Sequence, residues 1–125
     1  MVNNDRIVWA YVPASYDENI LARYPVIFMQ DGQNLFDAAK SVNGVEWYVD
    51  EALDAGNDDG SIREILVIAP EQNANRIAEY SPAAEPSFPQ STNFLGPQYV
   101  DMLTNELKPL GTRSFEPSRA EAIRP

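Results

Sequence analysis

Apolar and polar positions alternate along this chain in stretches whose periods assign them. Arg6 to Val12 ("RIVWAYV") is rich in β-branched and aromatic residues and is stopped by Pro13, so it predicts a strand. "ASYDENILAR" follows as a polar connection. Tyr24 to Met29 is a short continuous apolar run, the pattern of a strand buried on both faces, as in a parallel sheet. Trp47 to Ala55 ("WYVDEALDA") sets Trp47, Val49 or Asp50, Leu53 and Ala55 at helical spacing, with Gly56 as the stop. Ile65 to Ala69 ("ILVIA") predicts a second buried strand closed by Pro70. Residues 71–97 carry four prolines and no clear period, a long connection of the kind that often carries function. Gln98 to Leu107 spaces Tyr99, Met102, Leu103 and Leu107 along one face of a helix that Pro109 ends. Strand, helix, strand, helix predicts an α/β sheet with crossover helices.

Composition narrows the picture. The chain has 125 residues, enough for one core, and an ordinary apolar fraction of 44 %. It holds 19 acids against 9 bases, a net charge of −10, which argues against nucleic acid or an anionic membrane as a partner. There is no cysteine and no histidine, so neither a disulfide framework nor a zinc or copper site is expected, and no metal ligand is assigned. The N-terminus, "MVNNDRIVWAYVP", lacks the apolar core of a signal peptide. No stretch approaches the roughly 20 apolar residues of a membrane span. The expected location is therefore cytoplasmic.

The stretch "VIFMQDGQN" sets an apolar strand directly against a tight polar turn. In an open α/β sheet, strands end at the crevice where ligands bind. A glycine there lets the main chain approach a ligand, and the N–H after it can point inward. Such an N–H, paired with a second, stabilises the oxyanion of a tetrahedral acyl intermediate. The plainer alternative is that Asp-Gly after a strand is only a turn. A calcium loop fits less well, because acids at alternate positions are missing.

Several pieces in order resemble one family: "RIVWAYVP…YDE…RYPVIFMQDGQNLFD", "VEWYVDEALD", "ILVIAPEQNANRIAEYSP" and "YVDMLTNELKPL", spanning about residues 5 to 110. They are similar to the putative-esterase group of serine hydrolases, which includes esterase D and the enterochelin-type esterases. The resemblance implies an α/β-hydrolase fold, a small ester substrate, hydrolysis by a Ser, His and acidic triad, and no cofactor. It implies the backbone N–H of Gln33 as an oxyanion donor, beside Gly32. It places Asn34, Trp47, Arg76 and Tyr80 where relatives line or brace the acyl pocket. Each has a plainer role open to it: Trp47 as a core anchor on its helix, Arg76 as a partner of Glu79 or a solvated charge, Tyr80 as a pin for the long loop.

The departure from the family is large. Its nucleophile sits in Gly-x-Ser-x-Gly after the next strand. No serine here has glycine two residues before and after it, and no histidine is present as a base. Residues 1–110 are thus expected to form the N-terminal part of an α/β-hydrolase domain, lacking the nucleophile-elbow half. The remaining "GTRSFEPSRAEAIRP" has no apolar period. Back-translated and read two bases along, it can encode Asp-x-x-Phe-Arg-Thr, the pattern with which relatives continue. Residues 111–125 are accordingly expected to be an out-of-frame or disordered tail, a genuine short protein with an unrelated end being the rival explanation. Three readings follow: an esterase lineage inactive in this form, a non-catalytic protein binding a small ligand or partner through the remaining pocket, and a non-functional gene product. In the family's strand order the Tyr24–Met29 strand would have one unpaired edge, so self-association through that edge is expected.

Overall fold

The computed structural model describes residues 6–18, 22–81 and 94–109, and the backbone of 121–123. Its centre is a mixed sheet of four strands: β1 (Val8–Tyr11), β2 (Val26–Phe28), β3 (Leu66–Pro70) and β4 (Glu121–Ile123), in the order β2-β3-β1-β4. β2 runs parallel to β3, pairing Val26 with Leu66 and Phe28 with Ile68. β1 runs antiparallel to β3, with Val8 opposite Pro70 and Tyr11 opposite Val67. β4 pairs antiparallel with β1, and it lies within the segment read as a tail. Residues 111–120 and 124–125 of that segment are outside the described residues.

Strand alternation sends side chains to two faces, and each face has its own cover. Val8, Ala10 and Ile68 point one way, with Val26 and Phe28 against them. They meet Tyr99, Met102 and Leu107 from helix α3 (Gly96–Met102) and its wider continuation Leu103–Leu107. (Helix α2, Arg76–Glu79, is a single turn in the connection between β3 and α3.) Tyr11, Val67 and Ala69 point the other way, onto Leu35, Phe36 and Leu53 of helix α1 (Val49–Asp59) and the turn before it. β3 is buried along its whole length, as its unbroken apolar run predicts. Each fully buried Val, Leu or Ile contributes about 1.5–3 kcal/mol. Two covered faces therefore account for most of what holds the sheet.

The described elements depart from the sequence reading in three places. β2 is only half buried, and Ile27 is 46 % exposed. It is an edge strand: among the described residues nothing pairs with its outer side, and Ile27 is left partly in solvent. The crossover through α1 makes β2 and β3 parallel, in keeping with the strand–helix–strand alternation, while β1 is antiparallel to β3, an orientation the sequence pattern does not specify. Pro70 is the last residue of β3 rather than a residue beyond it, tolerated because a strand end can forgo an N–H. Helix α1 begins at Val49, not Trp47, and runs past Gly56 to Asp59. Gly56 is a packing glycine, since a Cβ there would lie 2.4 Å from Cδ1 of Ile62. The stop is Gly60, at φ 78°, the left-handed cap that glycine adopts without strain. Among the described residues no helix is long and apolar enough to cross a membrane.

Candidate functional site

Because β2 and β3 are parallel, their carboxyl ends lie on the same side of the sheet, and antiparallel β1 starts there. Three pieces of chain converge at that rim: Arg6 ahead of β1, the turn Gln30–Asn34 after β2, and Glu71–Tyr80 after β3. This is the side on which open α/β sheets take ligands.

The turn opens with Asp31 in the left-handed conformation, φ 54° and ψ 50°, a region that aspartate enters more readily than most residues. A single tight turn, Gly32–Asn34, follows. The Asn34 N–H donates to the Asp31 carbonyl at 2.9 Å and the Leu35 N–H to the Gly32 carbonyl at 3.3 Å. Among the described residues nothing accepts from the N–H groups of Gly32 and Gln33. Glycine at 32 is required by the sheet itself. A Cβ there would stand 2.2 Å from the Ala69 carbonyl oxygen and 3.1 Å from Trp9 Cδ1.

Gln33 is buried beside it. Its side-chain oxygen accepts the Gln72 N–H at 3.1 Å, and its carbonyl accepts the Ser41 hydroxyl at 3.1 Å. Its Nε2 is buried with no hydrogen-bond partner among the described residues. The Gln33 side chain is therefore tied to the loop after β3 through one end of its carboxamide only.

The Asp31 carboxylate is the hub of the rim. Arg76 donates to it from Nε at 3.0 Å and from Nη2 at 2.8 Å, and the Tyr80 hydroxyl donates at 3.0 Å. The guanidinium also lies 4.9 Å over the Tyr80 ring. The Arg76 hydrogen bond holds the Asp31 carboxyl below the usual carboxylate range against the opposing effect of burial. Burial pushes the Tyr80 hydroxyl up, and the Asp31 charge adds to that. The arrangement is a clamp of fixed charge.

A second layer supports the first. Tyr80 packs on Tyr99 with ring centroids 5.3 Å apart, and the Tyr99 hydroxyl donates to the Gln30 side chain. Arg6 forms a buried two-pronged pair with Glu79, at 2.7 and 3.0 Å. Asn73 Nδ2 adds a third hydrogen bond to Glu79, at 3.0 Å. Trp9 Nε1 donates to Glu71 at 2.8 Å. Each segment of the rim is thus tied to another by side chains with satisfied charges.

The structure brings Gly32, Gln33, Arg76 and Tyr80 together. Arg76 pairs with Asp31 and not with Glu79, whose partner is Arg6. Asn34 braces the next segment, accepting the Val42 N–H at 2.9 Å on its side chain and the Trp47 N–H at 2.7 Å on its carbonyl. Trp47 is 53 % exposed and precedes α1, so it is not a core anchor. Sequence reasoning missed Asp31, Arg6 and Glu79 as organisers. Asp31 was hidden inside a turn signal, and the Arg6–Glu79 pair spans 73 residues, beyond any local pattern.

Elsewhere, at the start of α1, ligand atoms of Glu46, Asp50 and Glu51 lie within 4.8 Å of one another. Burial raises the Asp50 carboxyl to about 7, helped by its hydrogen bond to Glu51 and by the charges of Glu51 and Glu46.

A mixed α/β sheet with helices on both faces and a polar rim at the ends of its parallel strands defines an α/β domain, the class in which that rim is the usual ligand side. The chain matches, over residues 1–123, the model of the family described as Putative esterase, and it belongs to that family. No curated protein and no solved structure matches it.

Proposed function

We propose that this chain carries the oxyanion side of a carboxylic-ester hydrolase site of the α/β-hydrolase type. The observation that carries the reading is the Gln33 N–H, which has no acceptor among the described residues and sits in a turn clamped through Asp31 to Arg76 and Tyr80. A donor held rigidly before the reaction needs no reorganisation when charge develops on a carbonyl oxygen. Gly32 and Gln33 would receive that oxygen, while Arg76 and Tyr80 brace the turn and border the acyl side. Asn34 and Trp47 belong to the wall running toward α1. A serine nucleophile in Gly-x-Ser-x-Gly and a histidine base are not among the 125 residues. On this reading these residues bind and polarise an ester but do not cleave it unaided.

Two measurements test the reading. Ethyl acetate titrated into ¹⁵N-labelled protein should shift the main-chain amides of Gly32 and Gln33 first and saturably. Shifts confined to other parts of the sheet, or none, would remove the turn from the role. Purified protein should show no saturable hydrolysis of p-nitrophenyl acetate. Turnover that survives a serine-directed inhibitor would reveal a different catalytic centre.

The absence of histidine and of the serine motif also favours a second reading, a non-catalytic protein that holds a small carbonyl compound at the same rim. Its mark would be tight, saturable binding of ethyl acetate or acetate by a chain that stays inactive when a nucleophile-bearing half is supplied.

A further inference from the structure

Gln33 is 8 % exposed, and its carboxamide is held at one end only. The Gln72 main-chain N–H can only donate, so the carboxamide oxygen must face it. That fixes Nε2 on the opposite side, buried and without an acceptor among the described residues. A buried donor left unpaired costs about 1–3 kcal/mol. Turning the carboxamide over would not help, because it would set two donors against each other at Gln72. The same residue carries a main-chain N–H with no acceptor among the described residues. Two kinds of donor on one residue are thus unspent, at the rim where the parallel strands end.

We propose that the Gln33 side-chain amide is a second ligand donor, taking an acceptor oxygen of the bound ester through Nε2. This deepens the ester-site reading above and rests on it. The group recognised is a carbonyl or ester oxygen, a neutral acceptor that two N–H donors suit. Gln72 is then a positioning residue: its N–H orients the carboxamide without touching the ligand. The turn selects for oxygen-bearing ligands over hydrocarbon ones of equal size, since only the former satisfy Nε2.

The test is a titration of ¹⁵N-labelled protein with ethyl acetate, reading the Gln33 side-chain NH₂ signals and the Gln33 main-chain N–H together. The expected result is that both move on one saturation curve, and that pentane in place of the ester moves neither. Gln33→Glu keeps the acceptor for Gln72 and removes the donor. It should weaken binding by about tenfold or more, the equivalent of about 1.4 kcal/mol. Lowering the pH until the introduced carboxyl is protonated should restore much of that loss, because an O–H donor returns. A purely structural side chain would not show that recovery. If the main-chain N–H moves while the NH₂ signals stay fixed, or show contact only with water, the side-chain role is overturned and the ester-site reading stands. If neither moves, both fall. The wild-type titration decides the matter even where Gln33→Glu fails to fold.

Discussion

Arg76 grips Asp31 with two prongs, Nε at 3.0 Å and Nη2 at 2.8 Å, joining the loop after β3 to the turn after β2. Tyr80 adds a third donor to the same carboxylate. Asp31 is buried while the Arg76 side chain is 45 % exposed, so water competes for one partner only. Asp31→Ala should therefore cost about 1–2 kcal/mol from the hydrogen bonds, after discount for that exposure. Placing alanine at φ 54° should add about 1 kcal/mol. Urea unfolding checks the sum. Because the folded Asp31 pKa is depressed, its contribution is present above the unfolded carboxylate pKa and lost as pH falls through the folded value. The part of wild-type stability owed to Asp31 should hold above about pH 4 and decline below it, and Asp31→Asn should flatten that acid-side decline.

Gly32→Ala should be among the most damaging small substitutions in the chain. The added methyl would meet the Ala69 carbonyl at 2.2 Å, and main chain in a central strand cannot move aside as a side chain can. Overpacking costs typically 1–3 kcal/mol. Here the upper end or outright loss of the fold is expected, read from the melting curve and far-ultraviolet dichroism. A variant as stable as wild type would show that the turn does not press on β3.

Arg6 and Glu79 form a fully buried ion pair, 3 % and 0 % exposed at the side chains. Removing one partner strands a charge, so Arg6→Met or Glu79→Leu alone should cost about 3–5 kcal/mol. The double replacement should cost far less than the sum. A double-mutant cycle by chemical denaturation measures the coupling, and additive losses would refute it.

Asp50 is pushed up to about 7, chiefly by burial and then by Glu51 and Glu46. The first turn of α1 would by itself favour a negative charge, but burial and two acidic neighbours outweigh it. A carboxyl whose folded pKa is raised contributes stability that is full below its unfolded value near 3.9 and is lost as pH rises through 7. The melting temperature should therefore fall between pH 5 and pH 8, and Asp50→Asn should remove that slope. A variant that keeps the slope would assign it elsewhere.

The outer edge of β2 should pair with a second copy of the chain. Among the described residues nothing bonds to it, and Ile27 beside it is 46 % exposed. Such edges template pairing. The net charge of −10 opposes association most at low salt, so light scattering should show more dimer at physiological salt than at low salt. Ile27→Lys should return the chain to monomer. A wild-type monomer at both salts would end the proposal.

Local sequence sufficed where structure is decided by near neighbours. The run Ile65–Ala69 marked a doubly buried strand because no polar residue interrupts it, and β3 is buried throughout. Tyr99, Met102 and Leu107 marked a helix face by spacing, and they pack on the sheet as that spacing requires. The turn after β2 was legible from Asp-Gly, and ordered pieces of sequence identified the family that the family model bears out.

Tertiary structure decided the rest. Which strand lies at the edge depends on pairing across the sheet, so the apolar run of β2 looked doubly buried and is not. Gly56 and Gly60 carry the same local signal, and only Ile62 packed against the first shows that the second ends the helix. Arg76 had Glu79 three residues away, yet it pairs with Asp31, 45 residues distant, because parallel β2 and β3 deliver both residues to one rim. Sequence spacing ranks partners by contour length along the chain. Ion pairs and hydrogen bonds are ranked by distance through space, and the sheet alone sets that distance.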